Sequence, residues 1–120
     1  MTEEYRLDRP VAVTCPECGG AMNAEHTGSL MQFRCHIGHI LTAEAMLESH
    51  SKMLETKLSA ALVALNERAE LCRQLSDTAI LGSDIEGLNL ARAEALERAQ
   101  IIKRLLESEW RQISTGTTEK

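Results

Sequence analysis

Aromatic side chains are nearly missing from this 120-residue chain: 2%, namely Tyr5, Phe33 and Trp110. A core without them must be filled by Leu, Ile, Met and Ala, which favours helix over a β-sandwich. Proline is just as sparse, with Pro10 and Pro16 and none later. No apolar run approaches the ~18 residues needed to span a bilayer. Residues 1–6 lack the basic and apolar regions of a signal peptide. A cytoplasmic location with no membrane contact is expected, and thiols stay reduced there. Positive charge is in deficit, with Lys plus Arg 13 against Asp plus Glu 18, a formal net charge of -5. Nucleic-acid affinity comes largely from clustered Lys and Arg that displace phosphate counterions, so such a partner is disfavoured. Hydrophobic residues at 43% and charged residues at 26% fit an ordinary globular protein.

What is present falls into two parts. Residues 1–41 hold Cys15, Cys18 and Cys35, both prolines, and Gly19, Gly20, Gly28 and Gly38. Residues 42–113 hold no proline and are dense in Ala, Leu, Glu and Arg. The expected organisation is an N-terminal arm over 1–10, a turn-rich module over 11–41, a helical hairpin over 42–113 and a polar disordered tail over 114–120.

In the first part, residues 11–14 are β-prone, and 21–34 reads as a hairpin turning at Thr27-Gly28. In the second, a spacing of three and four recurs at Leu47, Ser51, Leu54, Leu58, Ala61, Leu65, Arg68, Cys72, Leu75 and Ala79. Thr42 is the expected N-cap, with Glu44 in the first turn facing the positive end of the dipole. A helix over 43–79 would be ~55 Å long, too long for a small globule to wrap without a partner helix. Leu81-Gly82-Ser83 breaks the pattern, and Ser83-Asp84-Ile85-Glu86 has the capping-box form. Gly87 costs roughly 1 kcal/mol inside a helix, which argues for a start just after it. A second stripe follows at Leu88, Ala95, Ala99, Ile102, Leu106 and Ile113, giving a helix over about 84–113. The short connection makes the two helices antiparallel neighbours. The expected fold is mainly α: a small zinc-ribbon-like β-hairpin module, then a long antiparallel two-helix hairpin of coiled-coil type.

The chemistry lies in the first part. Thr14-Cys15-Pro16-Glu17-Cys18-Gly19-Gly20 is a Cys-x-x-Cys knuckle, whose two-residue gap lets both sulfurs face one ion at ~2.3 Å. Gly19 can take the positive φ that the turn needs. One hairpin further on stands Cys35-His36-Ile37-Gly38-His39. Two knuckles supplying two ligands each close a tetrahedron. For the fourth ligand His39 is favoured over His36, because residues adjacent in extended chain point to opposite faces. The predicted set is Cys15, Cys18, Cys35 and His39, holding one structural Zn2+ with no position open for water activation. A 40-residue ribbon lacks the apolar mass for its own core, and metal binding at ~10–16 kcal/mol would supply the missing folding energy.

Blander readings stand beside this one. Cys15 and Cys18 would serve as a redox pair in a thioredoxin-type motif, but no βαβ unit surrounds them. Cys72 sits on the apolar stripe, as a buried inert thiol does. His26 and His50 read as solvated, and scattered Glu and Arg on the helices as a soluble face.

The string Cys15-Pro16-Glu17-Cys18-Gly19, then Phe33-Arg34-Cys35-His36-Ile37-Gly38-His39, then Thr42-Ala43-Glu44, resembles a C-terminal module of some bacterial chemotaxis-type protein-glutamate methylesterases (CheB-like proteins). Ala64-Leu65-Asn66-Glu67-Arg68-Ala69 fits the helical part of that module. The resemblance covers about residues 11–113. It implies the same four metal ligands and an association with chemosensory or two-component signalling. The α/β catalytic domain of such methylesterases, with its Ser/His/Asp site, has no counterpart in these 120 residues, so no catalytic residue is carried over and no enzyme activity is expected.

The leading functional expectation is a non-catalytic, zinc-binding interaction or regulatory module with a signalling protein as partner. Leu62, Val63, Leu71, Leu90, Ile101 and Leu105 lie off the primary stripes and suggest a second apolar surface. A homodimer through the helical hairpin would cover it. The alternatives are a zinc-ribbon nucleic-acid-binding or transcriptional regulator, disfavoured by the acidic charge, and a thiol-based redox sensor that loses zinc on oxidation.

Overall fold

The computed structural model describes residues 8–78, 84–111 and 113. Four strands come first: β1 (Val13–Thr14), β2 (Ala21–Thr27), β3 (Leu30–Cys35) and β4 (Ile40–Thr42). They form one antiparallel sheet in the order β1-β2-β3-β4. Two helices follow, α1 (Ala43–Thr78, 36 residues) and α2 (Ile85–Glu107, 23 residues). The fold is therefore a small sheet followed by two helices. β1 falls within the β-prone residues 11–14, and β4 is a further edge strand that the sequence did not announce.

The central hairpin pairs Met22 with Cys35 at one end and Thr27 with Leu30 at the other. Its loop is Gly28-Ser29, one residue later than Thr27-Gly28. Gly28 takes φ 62, the sign that the first position of a two-residue hairpin turn requires. Residues alternate across the sheet. One face carries Glu25, which accepts from Gln32 Nε2 and Arg34 Nε at 3.4 and 3.0 Å. The other carries Met22 and Cys35, buried in a cluster with Cys15 and Met46, against which Val13, Phe33 and Leu41 pack. Metal-ligand candidates thus make up half of the ribbon's buried cluster.

The chain forms two compact units, one built on the sheet and on α1 as far as Ser51, the other spanning Lys52–Gln112. Thr42 Oγ1 accepts from the Ala45 N–H at 3.1 Å, capping the start of α1. The expected end at Ala79 lies outside the described residues, as do Ser83 and the tail over 114–120. In the second unit Ser76 Oγ donates to Asn89 Oδ1 at 3.4 Å, and Arg92 lies close enough to Glu70 to act on its charge. Those contacts run in the order that antiparallel helices require. The fully buried side chains here are small: Ala69 and Cys72 on α1, Ala95 and Ala99 on α2.

The structure corrects several local expectations. Arg68, expected on the buried stripe, is exposed and Ala69 takes its place. Leu65, Ala69 and Cys72 keep a four-three spacing, so the seam runs through the small apolar residue beside Arg68 and leaves the charged one in solvent. Leu62, expected off the stripe, is half-buried. α2 is capped by Asp84, whose Oδ1 accepts from the Gly87 N–H at 2.9 Å. Gly87 therefore lies inside the first turn, not ahead of it, and a Cβ there would collide with the Asp84 carboxylate. At the other end α2 stops at Glu107, six residues short of 113. The Leu105 carbonyl accepts from Ser108 Oγ at 2.7 Å and from Trp110 Nε1 at 3.1 Å, while Ser108 turns extended. Ile113, expected on the buried stripe, is not helical and is 64% exposed.

Candidate metal centre

Each knuckle is a backbone turn closed by its own hydrogen bonds. In the first, the Cys15 N–H donates to the Gly20 carbonyl at 2.7 Å and the Gly19 N–H to the Cys15 carbonyl at 2.9 Å. In the second, the Cys35 N–H donates to the His39 carbonyl and the Gly38 N–H to the Cys35 carbonyl, both at 3.0 Å. Each turn contains a glycine in left-handed space, Gly19 at φ 81 and Gly38 at φ 114. The hairpin then carries the knuckles to a common end of the sheet.

Cys15, Cys18, Cys35 and His39 present donor atoms that all lie within 4.8 Å of one another. Cys18 Sγ is 3.7 Å from Cys35 Sγ. His39 Nδ1 is 3.3 Å from Cys35 Sγ and 3.7 Å from Cys15 Sγ. A tetrahedron with metal–sulfur bonds of ~2.3 Å and a metal–nitrogen bond of ~2.0 Å has edges of about 3.5–3.8 Å. The donors stand at the spacing of ligands around one ion, so the four residues are positioned to hold a single metal. His36 is outside the cluster and exposed. A Cβ on Gly20 would fall 2.8 Å from His36 Cε1, so this glycine leaves room for the imidazole.

Electrostatics favour metal-binding forms of two thiols. Burial opposes ionisation of Cys35, but the N–H groups of His39, Ile37 and Gly38 outweigh it and hold the thiol at about 6. Burial also opposes Cys15, yet the N–H groups of Glu17 and Cys18 bring it below its ordinary value. Cys18 is helped by the Gly20 N–H, but burial and its sulfur neighbours leave it raised, as the last thiol to ionise in a crowded set. Hydrogen bonds to the Cys35 and Cys15 sulfurs raise His39. With Nδ1 turned inward, His39 Nε2 lies 3.9 Å from Glu17 Oε1. That is an ion-pair spacing, longer than a hydrogen bond, so Glu17 acts on the imidazole through its charge. Sequence reasoning missed Glu17; its place inside the first knuckle was the available signal.

Cys72 is buried on α1, while His26 and His50 are exposed. No described helix is long and apolar enough to cross a membrane. Compared with protein-family models, curated proteins and solved structures, the chain finds no match.

Proposed function

We propose that this chain is a non-catalytic zinc-binding module acting through protein–protein contacts in bacterial chemosensory or two-component signalling. The observation that carries the metal part is the convergence of three thiols and one imidazole, with all four donor atoms within 4.8 Å of one another. That donor set suits Zn2+, which has no geometric preference of its own and accepts mixed sulfur and nitrogen ligands. A shell filled by four protein donors holds an ion for structure and leaves no site for an activated water. The ion would complete a core that otherwise contains little beyond Met22 and Met46.

The signalling context rests on the motif residues shared with the CheB-like module, Cys15-Pro16-Glu17-Cys18-Gly19 and Phe33-Arg34-Cys35-His36-Ile37-Gly38-His39. The interaction role is supported by large apolar side chains left open on the helices: Val63 at 54%, Leu71 at 58%, Leu90 at 66% and Ile101 at 46% exposed. A homodimer through the helices, or the helices of a signalling protein, would cover them. The experiment is elemental analysis of protein purified without chelator, paired with light scattering. One zinc per chain in a dimer is expected; a folded, metal-free monomer overturns the reading.

A further inference from the structure

The four ligands differ sharply in access. Cys15 and Cys35 are 1% and 2% exposed, His39 is half-buried, and Cys18 is open to solvent. Of the three cysteines, Cys18 is thus the one an oxidant can reach, and Cys35 Sγ lies 3.7 Å from its sulfur. We propose that the centre is an oxidant-operated metal release, in which a peroxide attacks Cys18 and Cys35 closes a disulfide onto it. This rests on the zinc reading above.

The steps balance with hydrogen peroxide as the only co-reactant. In the zinc-loaded protein the ligating thiols are deprotonated, so the Cys18 thiolate attacks one peroxide oxygen, the O–O bond breaks, and the sulfur becomes a sulfenic acid as hydroxide leaves. The Cys35 thiolate then attacks the Cys18 sulfur, the S–O bond breaks, the S–S bond forms, and a second hydroxide leaves. Two thiolates lose two electrons and one peroxide gains them. The ion keeps only Cys15 and His39 and departs. Cys35 belongs to the same buried cluster as Met46 of α1. Loss of the ion and movement of Cys35 therefore remove the packing under the first turns of that helix, a structural output from a chemical input.

The test uses the zinc-loaded full chain. Hydrogen peroxide is added, released zinc is read with a chromogenic chelator, and thiols are mapped by alkylation and mass spectrometry. Complete loss of the bound ion is expected, together with a Cys18–Cys35 disulfide, an intact Cys72 thiol, faster amide exchange over 43–51, and recovery on reduction with added zinc. If zinc is bound but survives peroxide, or leaves with a disulfide joining Cys15, the proposed release is wrong and the zinc reading stands. If the reduced protein takes up no zinc, both fall.

Discussion

His36 and His39 sit three positions apart and meet opposite fates. Gly38, at φ 114, swings the chain so that His39 Nδ1 faces the sulfurs while His36 remains outside against Gly20. Replacing His39 with Ala should cost the protein its bound ion, whereas His36→Ala should keep it; metal analysis of both variants decides. The adjacent glycines Gly19 and Gly20 separate in the same way. Gly19 holds a left-handed turn with open space around its missing side chain, so Gly19→Ala should lower stability by about 1–2 kcal/mol through backbone strain alone. Gly20→Ala meets the exposed, movable ring of His36 and touches Cys18 Sγ at an ordinary contact distance of 3.5 Å, so it should cost less, about 0.5 kcal/mol. Thermal melts of the metal-loaded variants give the order. The Cys-x-x-Cys spacing made the sulfurs legible in the sequence because it is local. That His39 would bind through Nδ1 with Glu17 behind it depends on a fold bringing residues 17 and 39 together.

At the scale of single elements, α2 depends on its ends. Asp84→Ala removes the acceptor for the Gly87 N–H and should destabilise the helical unit by about 1 kcal/mol. A smaller loss, or none, would show that solvent serves that donor equally well. On α1, hydrogen bonds from Arg73 and Gln74 hold the Glu70 carboxyl down to about 2. A carboxylate depressed in the fold contributes its full stabilisation above the unfolded value of 4.5 and loses it as pH falls toward about 2. Helicity followed by circular dichroism should therefore decline across that window, and less steeply in Glu70→Gln. Added salt should shrink the difference, because the group is exposed. Periodicity announced both helices. Their termini were harder to read, since the end of α2 is set by Ser108 and Trp110 side chains competing for one carbonyl.

For the molecule as a whole, the two units rest on different forces. The sheet unit buries Cys15, Met22, Cys35 and Met46, half of them candidate ligands. A chelator should accordingly strip amide protection from 13–42 and the first turns of α1, and leave protection over 52–78 and 85–107 largely intact. Hydrogen exchange followed by mass spectrometry reads both at once; uniform loss throughout the chain would show the units to be one cooperative structure. Among the described residues of the helical unit, those completely buried are alanines and a cysteine, and large apolar groups such as Leu90 and Val63 remain in water.

The amino-acid order alone determined the change from sheet to helix near residue 41, the β2–β3 hairpin, the two helices and the identity of the four donors. Each is encoded by a short-range signal: ligand spacing, a turn glycine, or an apolar repeat. Tertiary structure decided the rest. β4 is too short to show any alternation and exists only because β3 offers an edge to pair with, and pairing with β2 trims the β-prone run 11–14 to Val13–Thr14. The choice of Ala69 over Arg68 between Leu65 and Cys72 follows from helix packing, which takes the small apolar neighbour and leaves the charge in water. The unequal exposure of Cys15, Cys18 and Cys35 arises from which sulfur lies beneath Met22 and Met46 and which faces outward, a matter of neighbours that no linear spacing contains.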